Sequence, residues 1–211
     1  MGINNLDINK KIKIKRVKEN LFMGLDMYLE KIHRDVVGYM DVDIEELDKT
    51  SELYKKLRPY IKEQGETYKW VSLFEEVGYW RKANAIHNWF VNNIQNGKDD
   101  CGRYEASKEK LESLLKICEE VLENAIMIQG KIVNGQRLIN GKWENILEDG
   151  LVVINPRICK DLLPTTEGFF FGSTNYDQFY IEDIKSTVLI LRKVLKDTDF
   201  NEYKIYYSSS W

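Results

Sequence analysis

Gly24-Leu25-Asp26-Met27-Tyr28-Leu29-Glu30 alternates apolar and polar side chains, and Leu25, Met27 and Leu29 fall on one face. A period of two marks a strand with one buried side. Near the other end of the chain, Glu202 to Tyr207 reads as a second strand. Between them the dominant period is helical. Leu111, Leu114, Leu115, Cys118, Val121 and Leu122 share one side of a helix that follows the candidate N-cap Ser107. Ile184, Val188, Leu191 and Leu195 line a long helix over about 175–196, and Trp80, Ala83, His87, Phe90, Val91 and Ile94 predict another over 80–94. Strands at both ends with helices between them predict an α+β fold. Its antiparallel sheet is formed by the N- and C-terminal strands and packed against several helices. Regular βαβ alternation is absent, which argues against a doubly wound sheet.

Working outward, Asn134-Gly135 and Asn140-Gly141 are turn dipeptides between apolar residues, so an extra β-hairpin region is expected near 127–155. Gly168 to Thr174 holds three consecutive phenylalanines between glycines and predicts a buried strand. Short helices are expected over Glu45–Leu57 and Thr67–Val77. Residues Lys10 to Lys18 carry six basic side chains and no acid. With Ile12 and Ile14 they read as a lysine-protected edge strand or a phosphate contact. This run lies within residues 1–23, set apart as an edge strand outside a single α+β domain of 24–211.

The chain has 211 residues and a net charge of -3, so no global field favours nucleic acid. Cys101, Cys118 and Cys159 are odd in number and lack CxxC spacing, which predicts a reducing, cytoplasmic setting. Met1 to Lys18 lacks the apolar core of a secretory signal, and no run approaches the ~20 apolar residues of a membrane span. Neither His33 nor His87 belongs to an HExxH or HxxxH pair, and no GxSxG occurs. No metal and no cofactor are expected.

Three segments carry the candidate chemistry. Gly172-Ser173-Thr174 precedes a predicted helix, whose N-terminus suits phosphate or carboxylate. The plainer reading makes Thr174 the cap and Asp177 its capping-box partner. In the second segment, Trp80, Asn84 and His87 lie near one helical stripe beside Arg81. They can stack on a base, read its edge and meet a phosphate, or simply be core residues. Asp99-Asp100-Cys101-Gly102 is the third, able to bind a cation or supply a nucleophile, or to be a solvated turn.

Taken together, Gly24 to Leu29, Gly78 to Val91, Asp99 to Gly102, Leu163 to Thr165, Gly168 to Thr174 and the final Ser209-Ser210-Trp211 resemble a family of uncharacterised proteins carried by bacteriophages and bacterial mobile elements. Residues 1–23 look like an extension beyond that pattern, and 127–160 looks longer than usual. The resemblance implies a counter-defence accessory protein in the bacterial cytoplasm, some of which sequester immune signalling nucleotides. The leading expectation is a binding protein that holds a small phosphorylated ligand without turning it over. Trp80 and Tyr176 would stack, Asn84 and His87 would read polar edges, and Arg81, Ser173 and Thr174 would hold phosphate. The alternatives are a nucleotide-processing enzyme using His87 with Asp99, Asp100 or Cys101, and a direct protein inhibitor of a host defence enzyme. A homo-oligomer stays open; membrane and nucleic-acid partners are not expected.

Overall fold

The computed structural model describes residues 24–34, 41–43, 50, 70–72 and 74–211. It is an α+β fold. Strand β1 (Asp26–His33) is central to an antiparallel sheet with β4 (Glu75–Arg81), β5 (Arg103–Glu105) and β8 (Tyr203–Ser210), in the order β4-β1-β8-β5. The N- and C-terminal strands pair along their whole length, from Asp26 opposite Ser210 to His33 opposite Tyr203. Strand β8 thus runs three residues beyond Tyr207, through the serines. A separate pair joins β2 (Asp41–Asp43) to β3 (Trp70–Ser72).

One face of the main sheet carries Leu25, Met27, Leu29, Trp80, Ile205 and Tyr207, all buried. Three helices cover that side: α1 (Asn84–Asn93), α2 (Lys108–Asn124) and α4 (Gln178–Asp197). Phe90 of α1 stacks flat on Tyr207, with ring centroids 3.9 Å apart. Trp80 Nε1 donates to Thr187 Oγ1 at 2.9 Å and ties β4 to α4. Gly78 permits that approach, because a Cβ there would lie 2.7 Å from Ile190 Cγ2. Ser107 caps α2 as expected, its Oγ accepting from Lys110 N.

The hairpin is one long ribbon, β6 (Met127–Ile139) against β7 (Lys142–Val153). Asn140 and Gly141 form its tip with φ of 50° and 76°, the double positive φ of a type I′ turn. Asn134-Gly135 makes no second hairpin; it sits where the register shifts between Val133 and Gln136. The ribbon base is bonded to the entry of α4, where Val153 N donates to Tyr176 O. A short helix, α3 (Arg157–Leu162), follows.

Four expectations are corrected. The helix predicted over 80–94 begins at Asn84. Trp80 lies on β4 opposite Met27, and Lys82, at φ 61°, turns the chain between strand and helix. Trp80 and Ala83 mimic a helical stripe because both point into the same core. The helix over Thr67–Val77 is replaced, where described, by β3 and the start of β4. Gly168–Thr174 is an irregular loop rather than a buried strand. Phe170 takes φ 57°, which breaks the alternation, so Phe169 and Phe170 are exposed and only Phe171 is buried. Helix α4 starts at Gln178, and Asp177 rather than Thr174 is its cap. The expectations for 1–23 and, Thr50 apart, for Glu45–Leu57 fall outside the described residues.

Candidate functional site

Where β4 ends, the chain turns through Lys82 into α1, and the loop before α4 lies against that turn. Lys82 N donates to Leu25 O, and Asn84 N to Lys82 O. Gly172, at φ 93°, lets the loop come close, since a Cβ there would lie 3.2 Å from the Lys82 carbonyl oxygen. Asn84, buried at the start of α1, holds the loop in place. Its Nδ2 donates to Phe171 O and Ser173 O at 3.2 and 2.8 Å, and its Oδ1 accepts from Thr166 N.

Between this turn, the loop, the first turns of α4 and Val133 of the ribbon lies a cavity of about 290 Å³. Arg81, Lys82 and Ser173 line it, as do Asp177, Phe179, Glu182 and Asp183. The first two are exposed and cationic. Asp177 is only 1% exposed. Its Oδ1 accepts from Phe179 N and Tyr180 N at 3.0 and 3.4 Å, while its Oδ2 has no hydrogen-bond partner. Burial pushes the Asp177 carboxyl up, against the opposing pull of those two N–H donors. Asp183, one and a half turns further on, is pushed up to about 7, by burial first and then by Glu182 and Asp177. A second cavity of about 280 Å³ shares Asn175 and Asp177 with the first and is lined by Lys131, Lys160 and Tyr176.

The structure brings Arg81, Asn84 and Ser173 to the lining of one cavity, but Asn84 has its Nδ2 and Oδ1 bonded to the loop backbone instead of turned to a base edge. It separates the others from it. Trp80 is spent on the Thr187 hydrogen bond inside the core. His87 is buried, with Nδ1 bonded to Tyr207 OH at 2.7 Å and Nε2 to Asp99 Oδ2 at 3.0 Å. Both ring nitrogens are therefore occupied by the protein, which leaves none to read a base or to serve Cys101 as a base. Thr174 uses its carbonyl to accept from Thr165 Oγ1. Tyr176 accepts from Thr165 N and faces the second cavity.

The Asp99–Gly102 segment is similarly self-contained. Asp99 Oδ1 accepts from Trp211 Nε1, and Asp100 accepts from Gly102 N and Tyr104 OH. Burial, then Asp99 and Asp100, push the Cys101 thiol up, against activation as a thiolate. Among the described residues no group of three His, Cys, Asp or Glu side chains is placed to hold a metal ion. Among them also no helix is long and apolar enough to cross a membrane.

Sequence reasoning missed Lys82, Asp183 and the place of Asp177 in the cavity wall. Asp177 was visible only as a capping residue, and capping uses one of its two oxygens. Comparison with protein-family models, curated proteins and solved structures finds no match to this chain.

Proposed function

We propose that the protein binds a small phosphorylated ligand, a nucleotide of the immune-signalling kind, in the cavity between the end of β4 and the start of α4. It holds the ligand without turning it over. The observation that carries this reading is the cavity's polarity, with Arg81 and Lys82 exposed on one wall and the buried Asp177 on another. Two adjacent cations suit a phosphate, and a carboxylate suits the N–H groups of a base. The volume lies near the lower end of small-molecule pockets, roughly 300–1,000 Å³, which favours one mononucleotide unit. Sequestration is preferred to turnover because His87, the candidate acid or base, has both nitrogens bonded within the protein. The counter-defence setting rests on the resemblance to bacteriophage proteins.

The test is mass spectrometry of small molecules released on denaturing protein purified from cells with an active nucleotide-signalling defence. A stoichiometric phosphorylated compound is expected, lost from the double variant Arg81→Ala, Lys82→Ala. Folded protein that releases nothing, and shows no melting shift with any nucleotide, overturns the reading; ligand at ~100 times its Kd adds about 2.7 kcal/mol.

Direct inhibition of a host defence enzyme is a second reading, favoured by the ribbon. Trp143, Leu147 and Leu151 recur at every fourth residue along β7, Leu138 pairs with Trp143, and all four are exposed. Exposed aromatic and aliphatic side chains on one face are the material of protein interfaces.

A further inference from the structure

We propose that this cavity selects guanine among the bases, with Asp177 Oδ2 accepting from the base N–H donors while Arg81 and Lys82 take the phosphate. The inference rests on the ligand-binding reading above and names the ligand class within it. A buried carboxylate oxygen without a partner is costly, and a bound donor removes that cost. Asp177 Oδ2 is such an atom, on a side chain almost wholly enclosed and lining the cavity. Asp183 and Glu182 line the same space.

That arrangement orients the ligand. A phosphate pushed toward the buried Asp177 would meet like charge, whereas at the exposed Arg81 and Lys82 it meets two cations. The base therefore points inward. A carboxylate is an acceptor only, so the inward edge has to present donors. Guanine offers N1–H and the N2 amino group side by side. Adenine and cytosine each place a ring-nitrogen acceptor beside the amino group, and uracil flanks its one N–H with two carbonyls. Only guanine meets the Asp177 carboxylate with adjacent donors and no opposing lone pair. Phe179, partly exposed on the same wall, offers a ring face for stacking. The preference is a penalty on the wrong base as much as a gain for the right one, since adenine leaves the buried oxygen unpaired.

The experiment is calorimetric titration of the full chain with GMP, IMP, AMP and guanosine. GMP is expected to bind about tenfold or more tighter than AMP. IMP, which keeps N1–H but lacks the amino group, falls between them, and guanosine binds more weakly than GMP. Asp177→Asn keeps a competent helix cap and replaces one acceptor oxygen by a donor amide, so it abolishes the GMP preference without unfolding α4. AMP binding as tightly as GMP overturns the base assignment and leaves the phosphate-ligand reading standing. A GMP preference that survives in Asp177→Asn likewise removes Asp177 from the role. Folded protein that binds none of the four overturns the ligand reading itself. The wild-type ratio of GMP to AMP decides the matter even where the variant is unstable.

Discussion

Asp177 shows how one side chain can be satisfied at one oxygen and not at the other. Its Oδ1 satisfies two N–H groups at the start of α4, and its Oδ2 stays buried without a partner. Gln95 is the comparison case. It is fully buried after α1, and neither Nε2 nor Oε1 has a partner, yet it is not among the residues lining the cavities described above. A buried unsatisfied amide costs roughly 1–3 kcal/mol. Gln95→Met keeps the length and removes the polar atoms. It is expected to raise Tm by about 2–4 °C per kcal/mol recovered, read by thermal denaturation; a fall in Tm would mean that the amide is satisfied in solution. Asp183 makes a pH-dependent prediction. Its folded carboxyl sits at about 7, against roughly 3.9 in an unfolded chain. The folded state binds this proton more tightly, so the stability it brings is full below about pH 4 and lost as pH rises through about 7. Asp177, Glu182, Arg81 and Lys82 share its cavity. Asp183→Asn removes the loss, so its Tm gain over the wild type should be larger at pH 8 than at pH 5, by about 2 °C or more. Equal gains at the two pH values would place the Asp183 carboxyl at its ordinary position.

Among the described residues, the three long helices have faces satisfied within the fold and the ribbon does not. Helices α1, α2 and α4 bury their apolar stripes against the sheet and one another. The ribbon does so only at its base, where Ile132 and Val153 are buried. Further out, Trp143 is 67% exposed and stands opposite Leu138, itself exposed. A two-stranded hairpin gains little stability from one exposed cross-strand pair, about 0.2–1 kcal/mol. Trp143→Ser is therefore expected to shift Tm by no more than about 4 °C. Under the second functional reading the same change abolishes co-purification of a host protein with this chain. Co-purification that survives Trp143→Ser moves the interface off the ribbon.

At the scale of the whole molecule, the sheet joins strands from opposite ends of the described chain, Asp26 beside Ser210. Local period determined much of this. Alternation in Gly24 to Glu30 marked β1, the leucine stripe marked α2 with its cap at Ser107, and Asn140-Gly141 marked the ribbon tip, because each signal lies within a few neighbouring residues. Where two elements meet, local period misleads. Trp80 and Ala83 sit at helical spacing but belong to a strand and a turn, since the core they share has no regard for sequence register. The site was legible in the same proportion. Arg81, Asn84 and Ser173 were read from residue type and do reach one cavity. Asn84, His87 and Trp80 looked equally able to bind, but each has its polar atoms taken by residues far along the chain, Asn84 by Phe171, Ser173 and Thr166, His87 by Tyr207 and Trp80 by Thr187. By itself the sequence determined the α+β class, the pairing of terminal strands and the hairpin, which follow from polar pattern and turn chemistry. Only the tertiary structure decided which polar side chains were spent inside the fold and which oxygen of Asp177 was left over. Hydrogen-bond satisfaction depends on partners brought together by folding, and no spacing in a linear chain records them.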